Sequence, residues 1–128
     1  MTNPRIMLVD DQRTVRALLK QIVESMGVTV VGEAEDGEAA VAQYQTLKPD
    51  IVLMDINMPK MDGIEALRKI MVLDPNAVVI MLTSQNNSSV VQDCILSGAK
   101  NFLLKANPRD KLIEELKSTW KKYLPKYN

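Results

Sequence analysis

Asp50-Ile51-Val52-Leu53-Met54-Asp55 is a short apolar run closed at both ends by an aspartate. A continuous apolar run between two such boundaries reads as a strand covered on both faces. On its C-terminal side, Asp62 and Glu65 have the N-cap and N3 spacing of a helix. That helix runs from Gly63 to about Leu73 and stops before Asp74-Pro75. On its N-terminal side, a helix from about Glu38 to Leu47 has Asp36 as its cap and Pro49 to close it. The run is therefore a strand between two helices.

Working outward, the same unit repeats. Ile6-Met7-Leu8-Val9 predicts a first strand. In the helix after it, Val15, Leu18, Leu19, Ile22, Val23 and Met26 form one stripe, and Gly27 takes the left-handed position at its end. Val28 to Val31 is the second strand and Ala77 to Leu82 the fourth. A polar stretch from Ser84 to Ser89 leads into a helix with Val90, Val91, Cys94 and Ile95, with Gly98 behind it. Phe102-Leu103-Leu104 is the fifth strand. Asn107-Pro108 reads as N-cap and N1 of a last helix with Leu112, Ile113, Leu116, Trp120 and Tyr123 on its stripe. Strict alternation of strand and helix implies an α/β fold with a parallel sheet and helices on both faces. Right-handed crossovers leave few topologies, among them the doubly wound order 2-1-3-4-5.

Composition narrows the chemistry. The 128 residues fit one domain, with 46% apolar and 25% charged residues, so a core and solubility are both within reach. Sixteen Lys plus Arg balance sixteen Asp plus Glu, which argues against a nucleic-acid or membrane surface. The single cysteine, Cys94, suits a reducing compartment, and a cytoplasmic location is expected. With no histidine in the chain, a zinc site of the usual type, a Ser-His triad and a His general base are excluded. What remains is carboxylates, hydroxyls, amides and lysines.

In a doubly wound sheet the working crevice lies beyond the carboxyl ends of the strands. There the chain places Asp10 and Asp11 after strand 1, Asp55 after strand 3, Thr83 and Ser84 after strand 4, and Lys105 after strand 5. Three converging carboxylates raise one another's pKa unless a cation stands between them. A hard, all-oxygen, partly open site of this kind suits Mg²⁺ together with phosphate oxygens. A hydroxyl and an ammonium opposite make a pocket for a phosphoryl group, and the central carboxylate, Asp55, is placed to act as its nucleophile.

These blocks, with Asp50 to Gly63 the most specific and Gly98-Ala99-Lys100-Asn101-Phe102-Leu103-Leu104-Lys105 behind it, resemble a response-regulator receiver domain, of the single-domain, chemotaxis-regulator-like kind. The resemblance covers about Arg5 to Tyr123 and implies one flavodoxin-like receiver over residues 1–128, with strand order 2-1-3-4-5. It implies that Asp55 is phosphorylated by a partner histidine kinase, a phosphotransfer protein or a small phosphodonor. Asp10, Asp11, Asp55 and the Asn57 backbone carbonyl match the Mg²⁺ ligands. Thr83 and Lys105 match the hydroxyl and lysine that meet the phosphoryl group. Thr83 and Phe102 match the switch pair that remodels the surface of helix 4, strand 5 and helix 5 for a downstream target. Asn57 and Gln85 match the positions that tune dephosphorylation. Such a protein is a regulator rather than an enzyme with turnover, monomeric or weakly dimeric on phosphorylation.

Two features depart from that family's pattern. Phe102 lacks the hydroxyl a tyrosine would carry, and Ala106 stands where a proline usually follows the lysine. A cis bond before alanine costs roughly 2.5–4 kcal/mol, so Lys105–Ala106 is expected to be trans. Other functions on similar folds fit less well. A haloacid-dehalogenase-type phosphatase wants an acid two residues after the first aspartate, where this chain has Gln12. A nucleotide or flavin binder wants a glycine-rich loop where Asp10 and Asp11 would repel phosphate.

Overall fold

The computed structural model describes residues 3–84 and 87–127. In chain order the elements are β1 (Arg5–Val9), α1 (Arg13–Ser25), β2 (Thr29–Ala34), α2 (Gly37–Leu47), β3 (Ile51–Asp55) and α3 (Gly63–Leu73). They continue with β4 (Val79–Thr83), α4 (Ser88–Leu96), β5 (Asn101–Leu104), α5 (Arg109–Tyr123) and a 3-10 turn at Pro125–Tyr127. All strand pairs are parallel, in the order β2-β1-β3-β4-β5. No described helix is long and apolar enough to cross a membrane.

Period-two alternation sends the strands' side chains to two separate cores. Ile6, Leu8, Ile51, Leu53, Ile80 and Leu82 pack with Leu19, Ile22, Leu112, Leu116 and Trp120 of α1 and α5. Met7, Val9, Val52, Met54, Val79 and Met81 pack on the other face with Tyr44, Leu67, Ile70 and Cys94 of α2, α3 and α4. Cys94 is fully buried on this stripe and serves as a small core residue.

The expected caps at Asp36 and Asp62 form: their side chains accept from Ala39 N and Glu65 N. Gly27, at φ +83°, takes the left-handed position behind α1. The chain corrects four details. β2 is offset from the expected Val28–Val31 run, because Gly32, Glu33 and Ala34 continue the pairing with Met7, Leu8 and Val9 past a register shift. β4 begins at Val79 rather than Ala77. Pro108 rather than Asn107 is the N-cap of α5: its φ of −60° suits a helix but its ψ of 156° is extended, so the first helical residue is Arg109. Proline fixes φ and leaves ψ free. Leu18 and Ile95, expected on buried stripes, are exposed, since each lies at the margin of its helix's buried face. No described peptide bond is cis, so Lys105–Ala106 is trans as expected.

Candidate functional site

Four of the five strands, β1, β3, β4 and β5, deliver their last or next residue to the same edge of the sheet. Asp10 follows β1 and is wholly buried, its N–H donating to the Ala34 carbonyl at 3.1 Å. Asp55 is the last residue of β3 and is also buried. Thr83 ends β4, buried as well, and its carbonyl accepts the Lys105 N–H at 2.8 Å. Lys105 follows β5, and its Nζ lies 2.7 Å from Asp10 Oδ2 and 3.1 Å from Asp55 Oδ1. One carboxylate oxygen from each of Asp10, Asp11 and Asp55 falls within 4.8 Å of the others, with Asp11 on the solvent side. Asp10, Asp11, Asp55 and Lys105 therefore meet at this edge, with Thr83 beside them at the end of β4.

The loops around this edge are fixed by short-range constraints. Asp10 Oδ1 accepts from Gln12 N at 2.9 Å, which orients the carboxylate and the β1–α1 turn. Arg16 Nη1 donates to the Asp10 carbonyl at 2.6 Å while its Nε pairs with Glu33 at 3.3 Å. Gly63 starts α3 directly against β3: its N–H donates to the Ile56 carbonyl at 2.8 Å, and a Cβ there would overlap the Asp55 carbonyl oxygen. The chain thus turns back after Asn57 to place α3 under the central aspartate. Neither Arg16 nor this steric role of Gly63 was legible in the sequence, because both depend on which loops meet. The acidic stretch from Glu33 to Glu38 is absorbed locally: Glu33 pairs with Arg16 and Lys20, and Asp36 caps α2 and lies 3.8 Å from Lys60 Nζ.

Burial is the largest influence on Asp55, and with the neighbouring Asp10 and Asp11 it raises the carboxyl from 3.8 to about 6 against the opposing pull of Lys105. Burial alone would lower Lys105, but its contacts with Asp10 and Asp55 outweigh this and hold it above its ordinary value. Asp10 Oδ2 has the lysine as ion-pair partner but no well-directed hydrogen bond. Carboxylates in excess of cations, with a buried oxygen left short of donors, are the electrostatic signature of a cation site. The residues present fit Mg²⁺.

A pH effect follows. The folded protein holds a proton on Asp55 that an unfolded carboxyl releases nearer pH 4. Stability from this group is therefore present at low pH and lost as pH rises from about 4 through 6. In chelator, Asp55→Asn is expected to be more stable than the parent at pH 7, by up to about 3 kcal/mol, and nearly equal to it at pH 4. Urea titrations at the two pH values measure the difference. An advantage independent of pH would show that ionisation of Asp55 is not its source.

The remaining predicted residues are placed as follows. Asn57 lies exposed in the loop after β3, and Ser84 is exposed after β4. Phe102 is half-buried on β5 and packs against the core on the side of α2, α3 and α4. Gln85 lies outside the described residues.

A parallel sheet in this order, with an aspartate trio and one lysine at the crevice beside β1 and β3, makes an α/β module with an acidic cluster suited to a cation. The chain belongs to the response regulator receiver domain family, which matches residues 6–117. It is a CheY-like receiver of two-component signalling. It is 43% identical over 112 residues to the chemotaxis protein CheY of Thermotoga maritima, covering 88% of this chain and 93% of that protein. With the chemotaxis protein CheY of Listeria monocytogenes it shares 44% identity over 117 residues, 91% of this chain and 98% of that one. Among solved structures, a CheX–CheY–BeF3–Mg²⁺ complex from Borrelia burgdorferi matches with a TM-score of 0.90. That match has 39% identity and covers 93% of this chain and 90% of that one. Receiver domains bind Mg²⁺ at an aspartate cluster and act as regulators, and Asp10, Asp11 and Asp55 form a group here that could hold such an ion.

Proposed function

We propose that this protein is a phosphorylation-driven switch over residues 1–128, whose Asp55 accepts a phosphoryl group from a histidine kinase, a phosphotransfer protein or a small phosphodonor. The observation that carries the reading is the position of Lys105 Nζ, 2.7 Å from Asp10 and 3.1 Å from Asp55, at an edge where three further strands also end. Asp55 is the nucleophile: one of its carboxylate oxygens forms the bond to phosphorus as the donor's leaving group departs. Lys105 already touches that carboxylate and meets the charge arriving on the phosphoryl oxygens. Thr83, at the end of the neighbouring strand, offers its hydroxyl to the same group. Asp10, Asp11, Asp55 and the carbonyl of Asn57 would hold Mg²⁺, which when bound would supply neutralisation of the phosphoryl charge.

The new dianionic group biases a two-state element. Thr83 moves toward it, Phe102 follows into the space behind, and the surface of α4, β5 and α5 changes for a target protein. Asn57 and Gln85, two positions after Asp55 and Thr83 in the sequence, are the tuning positions of this reading: both are amides able to orient water without taking its proton, so hydrolysis continues without a separate phosphatase. The CheY in the Borrelia complex is bound to Mg²⁺, BeF3 and CheX, which supports both the cation and a protein partner for a chain so similar.

The test is intact-protein mass spectrometry after incubation with acetyl phosphate. One phosphoryl per chain is expected with Mg²⁺ and none in chelator. Uptake of several groups, or steady turnover of added phosphoesters, would contradict the reading. A second measurement isolates the cation. Ligand binding to the folded state alone stabilises by about 2.7 kcal/mol at a hundred times Kd, so the melting temperature should climb with Mg²⁺. Asp11 is solvent-facing, so Asp11→Ala should fold normally and lose most of that rise. An unchanged rise would remove Asp11 from the ligand set.

A further inference from the structure

The stripe of α1 is not fully covered. Leu18 is 57% exposed, and beside it a groove of about 540 Å³ runs between α1 and α5. Its floor is apolar, from Val15, Leu19 and Ile22 on one side to Leu112 on the other, and it reaches Leu82 of β4. Its rim is of one electrostatic kind. Arg109, Lys105, Asn107 and Gln21 line it, and no carboxylate does.

The two rim cations are not equivalent. Lys105 is committed to Asp10 and Asp55. Arg109 extends across the groove mouth to α1, where its Nη2 donates to Ser25 Oγ at 2.6 Å, and among the described residues it has no carboxylate partner. An always-charged guanidinium held over an apolar floor, with one neutral hydroxyl as its hydrogen-bond partner, is complementary to an anion with an apolar tail. The volume lies within the range of small-molecule sites. A neutral apolar ligand would leave the guanidinium unused, and a cation would be repelled.

We infer that the α1–α5 groove is a binding site for a small amphiphilic anion, its apolar part on Leu18, Leu19 and Leu112 and its anionic end on Arg109. This site is separate from the phosphoryl pocket but shares Lys105 as a wall. An occupant would therefore press on the lysine that holds Asp10 and Asp55. The inference does not depend on phosphorylation, because its readout is binding.

Decanoate, below its micelle-forming concentration, is the probe. In amide NMR titrations of the full chain, saturable shifts are expected on α1, the first turns of α5 and residues 105–107. Arg109→Gln should weaken binding about tenfold, as expected for loss of a charge-assisted contact, and decanol should bind less well than decanoate to the parent by a similar factor. Leu18→Gln, an exposed and fold-neutral change, should weaken it severalfold. Arg109→Lys, which keeps the charge, should retain part of the affinity. Absence of saturable binding would overturn the inference, including the case in which only a protein helix occupies the groove. So would equal affinity in parent, Arg109→Gln and Leu18→Gln, or shifts centred on the exposed Val72 and Leu96 of the opposite face.

Discussion

Asp55→Asn is expected to abolish phosphoryl uptake from acetyl phosphate while leaving the fold intact. The substitution keeps the shape and removes the nucleophilic oxygen, since an amide at neutral pH carries no carboxylate charge to attack with. The fold should tolerate it well, because burial and Asp10 make a charge at position 55 costly in the folded chain, and an uncharged amide removes that cost. Neither neighbour is placed to substitute. Asp10 is wholly enclosed and engaged with Gln12 N and Lys105, and Asp11 faces solvent outside the strand edge. The expected result is no detectable mass gain in the variant under conditions that label the parent completely, with an unchanged far-ultraviolet spectrum. A single phosphoryl on the variant, mapped to Asp11 or any other residue, would mean that the nucleophile is not Asp55.

The parts of this site that were legible in the sequence are those set by strand ends. A parallel strand buried on both faces must be apolar along its length, so its polar boundary residue marks where it leaves the sheet. That logic places Asp10, Asp55, Thr83 and Lys105 at one edge from the sequence alone. The caps at Asp36 and Asp62 were legible for a similar reason, since they are satisfied within three residues of chain. What escaped was non-local. The true span of β2 depends on a register shift between Ile6 and Met7, and β2 is an edge strand whose residues are mostly half-exposed and carry little pattern. Leu18 fits a helical stripe perfectly well, but whether a stripe residue is covered depends on how closely α5 approaches. The N-terminus of α5 misled because proline supports helical φ whether or not ψ follows. The role of Gly63 belongs to the same group: only the approach of the α3 start to the Asp55 carbonyl makes a side chain impossible there.

Lys105→Met should be among the most destabilising single changes at this edge, and its cost should depend on pH in a defined direction. The ammonium is the one positive group within ion-pair distance of Asp10 or Asp55 among the described residues. Removing one partner of a buried pair typically costs about 3–5 kcal/mol. The lysine side chain keeps 20% of its exposure, so water can partly replace it and about 2–3 kcal/mol at pH 7 is the expected loss. Without the lysine, the pKa of Asp55 rises further above its value of about 6, since the charge and hydrogen bond that lower it are gone. A proton on Asp55 then relieves the repulsion, so the deficit should shrink as pH falls from 7 to 5, and Mg²⁺ at pH 7 should recover much of it by the same logic. The double variant Asp55→Asn/Lys105→Met should be more stable than Lys105→Met alone, because the carboxylate that needed the lysine is no longer charged. Urea unfolding of the four proteins in this cycle gives the coupling directly. Additive effects of the two substitutions, with no dependence on pH between 5 and 7, would show that Lys105 supports the fold through packing and not through the charges of the site.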